Sequence, residues 1–218
     1  VDSKGLVVKS REGLSNDKFF FAHNHEMEDN LVDIIQSIRP TALIGISGHG
    51  KAFSKNVLEL MAELNKHPIV FALSNPTSSS ECTAEQAYRW TKGRCLFASG
   101  SPFDEVVLDG KTFTPGQGNN AYIFPGVGLG IVLTRSKIIS NDLFLVAAKT
   151  LARLVTDEEL SNGQLYPSLS GIRSVSKTIA INVAKKVISY GLANVKNSDN
   201  LKKNLDALIY NPEYQDYI

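Results

Sequence analysis

Three short polar runs carry residue types suited to a flat or phosphorylated ligand: Ser47-Gly48-His49-Gly50, Ser74-Asn75-Pro76-Thr77 and Ser99-Gly100-Ser101-Pro102. Glycine and serine let a ligand approach the backbone, and an amide such as Asn75 donates and accepts together, fixing orientation without adding charge. One such run is ordinary turn composition. Three at equivalent strand ends point to a ligand crevice. Asp2 is a fourth candidate, because an acid at a strand end can accept a hydrogen bond from an adenosine ribose hydroxyl in a dinucleotide fold. The G-x-G-x-x-G loop that would precede such an acid does not occur in the sequence, and Gly48-His49-Gly50 is too short to replace it.

Other reactive side chains read as ordinary. His23 and His25 resemble a metal pair, but no third ligand has suitable spacing and a solvated loop suits them better. His49 reads as a surface histidine. Ser47, Ser74 and Ser99 lack both the G-x-S-x-G elbow and a neighbouring base, so hydrolase chemistry has little support. Cys82 and Cys95 form no C-x-x-C, which predicts neither a disulfide framework nor a zinc site and fits a reducing compartment.

The elements that position these residues alternate. Leu31, Ile34, Ile35 and Ile38 form one helical face with Asp29 placed to cap it and Pro40 to end it. Residues 41–47 form a strand expected to be buried on both faces. Val57, Leu60, Met61 and Leu64 mark a second helix, and residues 68–74 a second strand. Thr83 and Gln86 make a capping box for a helix through Trp90, before a third strand at 95–99. This order predicts βαβ units and a parallel sheet. A hairpin follows around Asp109-Gly110, then a Gly-rich stretch at 115–120, and the rest is helical. Phe144, Ala147, Ala148, Leu151, Leu154 and Val155 form one helical face. A helix spans about 175–192, and Leu201, Leu205 and Leu208 mark a short amphipathic segment. Lys185-Lys186 and Lys202-Lys203 read as solvated helix faces.

The 218 residues suffice for one large or two small domains. A formal net charge of +1 supplies no basic excess for nucleic acid or anionic lipid. The longest apolar runs, such as Leu143 to Ala148, are far short of the ~20 residues that span a bilayer. Val1-Asp2-Ser3-Lys4-Gly5 reads as the end of a buried strand entering a turn, which suggests the C-terminal part of a longer protein.

Longer blocks then carry a resemblance. Val1-Asp-Ser-Lys-Gly-Leu-Val-Val-Lys9, Phe71-Ala-Leu-Ser-Asn-Pro-Thr77, Glu81-Cys-Thr-Ala-Glu-Gln-Ala-Tyr88, Phe97-Ala-Ser-Gly-Ser-Pro-Phe103 and Pro115-Gly-Gln-Gly-Asn-Asn-Ala-Tyr-Ile-Phe-Pro-Gly-Val127 closely resemble the malic enzymes, in order, from Val1 through about Ile188. Tyr166-Pro167 and Pro212-Glu-Tyr214 match more loosely. The resemblance implies an α/β fold: a partial Rossmann-type dinucleotide-binding domain with a parallel sheet, followed by a mainly helical C-terminal region. Its parts would be an incomplete NAD(P)-binding domain at 1–119, a helical part of the catalytic domain at 120–195 and an extension at 196–218.

The implied activity is oxidative decarboxylation of L-malate to pyruvate and carbon dioxide, with NADP, or secondly NAD, reduced and Mg²⁺ or Mn²⁺ required. Cofactor contacts would come from Asp2, Ser3, Lys18, Ile46, Ser47, Gly48 and Asn75, and malate contacts from Asn75, Asn119 and Asn120. The acid–base Lys and Tyr, the metal ligands, the malate-binding Arg and the glycine-rich loop are expected upstream, so this chain alone is expected to be inactive. Asp2-Ser3-Lys4-Gly5 and Lys18 look like the NADP-preferring members. A 2′-phosphate wants positive neighbours, and Lys4, Lys9, Arg11 and Lys18 supply them. The resemblance further implies a homotetramer in the cytoplasm, with mitochondria as the second choice. The alternatives are a non-catalytic nucleotide-binding or assembly module, and a hydroxyacid dehydrogenase without decarboxylation. Loss of a central strand would leave an unpaired sheet edge and a marginally stable chain, or one that buries that edge on another copy.

Overall fold

The computed structural model describes residues 1–195 and 200–210, which divide into two compact units. The first comprises Val1–Gly118 with Asn162–Leu165, the second Asn119–Ser161 with the chain from Tyr166 onward. The family-like ending Pro212-Glu-Tyr214 and part of the expected 196–218 extension lie outside the described residues.

The first unit opens on a turn closed by two backbone bonds between Asp2 and Gly5. Val1 at its start is 67% exposed, whereas Gly5 is buried and close-packed on the backbone of Glu28 and Asp29. Helix α1 spans Asn16–Phe21, and α2 spans Leu31–Ile38. The cap of α2 is Asn30, whose side-chain oxygen accepts from the backbone N–H groups of Val32 and Asp33; Asp29 stands one residue too early for that role. Arg39 ends the helix at φ 54°, and Pro40 follows.

Strand β1 (Ala42–Gly45), helix α3 (Lys55–Leu64), strand β2 (Ile69–Ala72), helix α4 (Ala84–Trp90) and strand β3 (Leu96–Ser99) then alternate. Both halves of the predicted capping box form at α4: Thr83 Oγ1 accepts from Gln86 N, and Gln86 Oε1 accepts from Thr83 N. The Asp109-Gly110 hairpin joins β4 (Val106–Leu108) to β5 (Lys111–Phe113), with positive φ at both turn residues. A strand without any pattern to announce it, β6 (Gly116–Gln117), completes a four-stranded parallel sheet in the order β1-β2-β3-β6.

The core of this unit packs α3 and α4 on the sheet through Val57, Leu58, Met61, Val70 and Tyr88. Tyr88 stacks on Phe113 with centroids 4.5 Å apart, and meets Phe97 edge-on at 5.7 Å. The expectation that residues 41–47 are buried on both faces fails. Ile44 is 57% exposed because Leu43 and Val70 take the face that α3 and α4 cover and Ile44 alternates to the other, while Ile46, 76% exposed, lies in the loop beyond β1.

The second unit is helical: α5 (Phe124–Thr134), α6 (Asn141–Ala152), α7 (Asp157–Ser161), α8 (Ile172–Ser189) and α9 (Leu201–Leu208). Its core centres on α8, whose Val175, Ile179, Val183 and Val187 are buried among Val127, Leu143, Ala147 and Leu151. The α6 face differs from the expected one. Leu143, Ala147, Thr150 and Leu151 are buried, whereas Phe144 and Ala148 are exposed. Tyr122 stacks on Tyr166 and donates its hydroxyl to the carbonyl of Pro167 at 2.6 Å, which gives the Tyr166-Pro167 pair a packing role.

Candidate functional site

Parallel register brings the strand ends level. Gly45 pairs with Ala72, Ala72 with Ser99, and Ser99 with Gln117, so the loops after β1, β2 and β3 emerge along one edge. This is the carboxyl edge at which open α/β sheets take ligands.

Two of those loops are tied together below the surface. Ser74 accepts the backbone N–H of Gly48 on Oγ at 2.8 Å and donates its own hydroxyl to Glu81 Oε1. The Ser74 backbone N–H donates to Glu81 Oε2 at 3.3 Å. Glu81 is 1% exposed, and residues 80 and 81 accept from Lys51 N and Phe53 N, which fixes the chain leaving the Gly48 loop. Glu81 therefore organises the edge, and sequence reasoning missed it. The signal was Gly45, where any Cβ would overlap the Glu81 side chain.

Ser99 donates its hydroxyl to the Ser101 carbonyl at 2.7 Å. Ser74 and Ser99 thus spend their hydroxyls on loop geometry. Ile46, Ser47, Gly48 and Asn75 are all exposed along this edge, with Ser47 Oγ accepting from His49 N at 3.3 Å. Among the described residues the Asn75 amide has no hydrogen-bond partner, which leaves it open to a ligand.

Asp2 and Lys18 meet at a second place. The Lys18 ammonium donates to Asp2 Oδ2, Arg11 donates to the same oxygen at 2.8 Å, and Lys4 N donates to Oδ1 at 2.9 Å. Lys18 first, with the Lys4 amide and the Arg11 guanidinium, holds the Asp2 carboxyl well below the usual carboxylate range. These groups stand beside a recess of about 350 Å³ whose lining includes Asp2, Lys18, Phe21, His23, His25 and Ile38. Ser3 is exposed in the adjoining turn. The recess lining does not include Ile46, Ser47, Gly48 or Asn75.

Asn119 and Asn120 lie in the second unit, both exposed. Asn119 caps the short turn 120–122 by accepting from Ala121 N at 2.9 Å, which commits its oxygen and leaves its amide hydrogens. His23 and His25 are exposed, with His25 Nε2 3.3 Å from Ser37 Oγ. Among the described residues no three His, Cys, Asp or Glu side chains gather as metal ligands, so the residues present do not fit a divalent ion. Cys82 and Cys95 are free and buried. Among the described residues no helix is long and apolar enough to cross a membrane.

Residues 1–188 match the family described as malic enzyme, NAD binding domain. The chain is 52% identical over its whole length to the NADP-dependent malic enzyme of Vitis vinifera, of which it spans 37%. It is 48% identical to the NADP-dependent malic enzyme of Anas platyrhynchos and spans 40% of it. Among solved structures, the malic enzyme of Entamoeba histolytica superimposes with a TM-score of 0.72 at 22% identity, covering 95% of this chain and 40% of that one. The malic enzyme from Pyrococcus horikoshii gives 0.57 at 24% identity, covering 77% and 34%. The two structures bear on the fold alone.

Proposed function

The chain belongs to the malic enzyme family as its NAD-binding domain, and we propose that it is the NADP-binding part of an enzyme that oxidatively decarboxylates L-malate to pyruvate. The carrying observation is the carboxyl edge of the sheet, where Ser74 and Glu81 hold the Gly48 loop against the loop that presents Asn75.

In this reading each residue has a limited task. Ile46 to Gly48 line the adenine side, where small exposed residues admit a flat ring. Asp2 accepts from the adenosine ribose, and Lys18 with Ser3 faces the 2′-phosphate. Asn75 holds the nicotinamide ribose and malate, and Asn120 a malate carboxylate with Asn119 beside it. Neutral amides orient these groups without adding a charge to the reaction centre. When bound, the nicotinamide would supply the hydride acceptor for malate C2.

The test has two arms. NADP titrated into the native polypeptide is expected to bind, and added malate to produce reduced nicotinamide; the 218-residue chain by itself is expected to produce none. A native polypeptide that reduces neither NADP nor NAD with malate would overturn the reading. Oxaloacetate accumulating in place of pyruvate would redirect it to a simple hydroxyacid dehydrogenase.

A further inference from the structure

The C-terminal halves of α6 and α8 flank an open groove of about 370 Å³ in the second unit. Four of its lining residues are cations: Lys149 and Arg153 from the α6 side, Lys185 and Lys186 from α8. Val146, Thr150, Asn182 and Ser189 complete the wall, and no acid is among the described residues that line it.

None of the four cations belongs to an ion pair among the described residues. Lys177, two turns earlier on α8, shows the contrast: its ammonium reaches Asp206 at 2.8 Å. Lys186 lies over the Tyr190 ring at 4.2 Å, a contact that leaves its charge in place. Tyr190 in turn donates to Asp142 at 2.6 Å, so that acid has a partner of its own. The formal net charge of the whole chain is only +1, so this is a local concentration rather than general basicity.

The groove's hydroxyl hydrogens are spent internally. Thr150 donates to Val146 O at 2.8 Å and Ser189 to Lys186 O at 2.8 Å, while Asn182 gives one amide hydrogen to Thr150 Oγ1 at 3.1 Å. The donors left uncommitted are three ammonium groups, a guanidinium and the second Asn182 amide hydrogen. Cations in the last turn of a helix complement its dipole, which accounts for Lys149 on α6 and Lys186 on α8. It does not call for four facing one recess, where they repel each other until an anion enters.

We propose that this groove binds a small multivalent oxyanion, a phosphorylated or polycarboxylate metabolite. The recess has the size of a small-molecule site, at the low end of the ~300–1,000 Å³ range. Charge-assisted bonds to phosphate or carboxylate oxygens are what its free donors can form. The groove shares no lining residue with those assigned to NADP and malate, and it stands whether or not that assignment holds.

The experiment is calorimetric titration of the native polypeptide, saturated with NADP so that the nucleotide site is filled, with pyrophosphate in one arm and citrate in the other. Lys185→Glu changes an exposed side chain and is expected to weaken binding roughly tenfold or more, the effect of one lost charge-assisted bond. Lys202→Glu makes the same charge change on α9 outside the groove and is expected to stay within about twofold. Tighter pyrophosphate binding identifies a phosphorylated ligand, and tighter citrate binding a polycarboxylate. Failure of both probes to bind at millimolar concentration, or equal losses in the two variants, overturns the site.

Discussion

Lys18 and Asp2, sixteen positions apart, meet through the Asp2 Oδ2 atom, which also accepts from Arg11. A phosphate arriving at Lys18 therefore meets a carboxylate already flanked by two cations rather than a bare negative charge. Lys18→Gln removes one of those cations and, in the proposed function, the partner of the 2′-phosphate. A charge-assisted bond of ~1.5–3 kcal/mol corresponds to a rise of roughly 10- to 100-fold in KM for NADP. KM for NAD, which has no phosphate there, is expected to stay within a fewfold. Steady-state kinetics of the native polypeptide with each nucleotide checks this, and equal losses for both would remove Lys18 from that role.

The same cluster predicts a pH dependence. The Asp2 carboxyl titrates below its ordinary value of about 3.9, so its extra stability is fully present above that pH and is lost as pH falls through the folded value. Asp2→Asn is expected to lower the unfolding temperature at neutral pH, with the gap to the parent closing progressively below about pH 4. A gap unchanged between neutral pH and strong acid would mean that the pairing contributes nothing.

In the second unit, α5 approaches α8 through two glycines. A Cβ on Gly130 would stand 2.9 Å from the Ala180 carbonyl and 2.8 Å from Val183, and one on Gly126 2.6 Å from Ile179 and 3.0 Å from the Ser176 carbonyl. Alanine gains ~0.8–1.0 kcal/mol of helix propensity over glycine, but overpacking a close contact costs ~1–3 kcal/mol. Because backbone carbonyls on the opposing helix cannot turn aside, Gly126→Ala and Gly130→Ala are each expected to lose stability. Gly128 has nothing within 4 Å of its added Cβ, so Gly128→Ala is expected to gain up to ~1 kcal/mol. Denaturant titrations of the three variants give the signs, and uniform gains would show that the helices can separate freely.

Burial pushes the Cys95 thiol up to about 11 and Cys82 higher still. A raised value keeps both thiols protonated at pH 8, with roughly one Cys95 in a thousand ionised. Neither is expected to react with iodoacetamide in the native state, and both should react in denaturant. Rapid native labelling of either cysteine, read by peptide mass, would contradict the packing around it.

Local chemistry explains what was legible beforehand. The Thr83 capping box and the Asp109-Gly110 turn depend on residues a few positions apart, and both form as read. Strand β6 spans two residues and has no period to detect. An apolar run states what Ile44 and Ile46 prefer, but not which face of the sheet a helix covers or where the strand ends. On α6, the expected face shares Ala147 and Leu151 with the observed one, and packing on α8 turned it by about one residue, from Phe144 and Ala148 towards Leu143 and Thr150. Asp2 and Lys18 were both nominated from sequence, and the fold joins them. Arg11 counted only as a nearby charge, and Glu81 drew no notice because a glutamate after three serines reads as loop. The four cations of the helical groove come from two segments some thirty residues apart, so their convergence depends on packing alone.

The first unit is not continuous in the chain. After β6 the polypeptide leaves it, and returns at residues 162–165, where Thr114 N donates to Asn162 O at 2.8 Å and Gly163 packs close to Phe113 and Tyr88. During synthesis, the sheet and its helices emerge from the ribosome about forty residues before the segment that closes over Phe113. At ~5–20 residues per second that interval is roughly two to nine seconds. The stacked pair Tyr88 and Phe113 thus waits, partly uncovered, while a stretch of another unit is made. Nascent-chain stalling at residue 161 and at residue 165, each with the ribosome tunnel's length added, would catch the unit on either side of its closure.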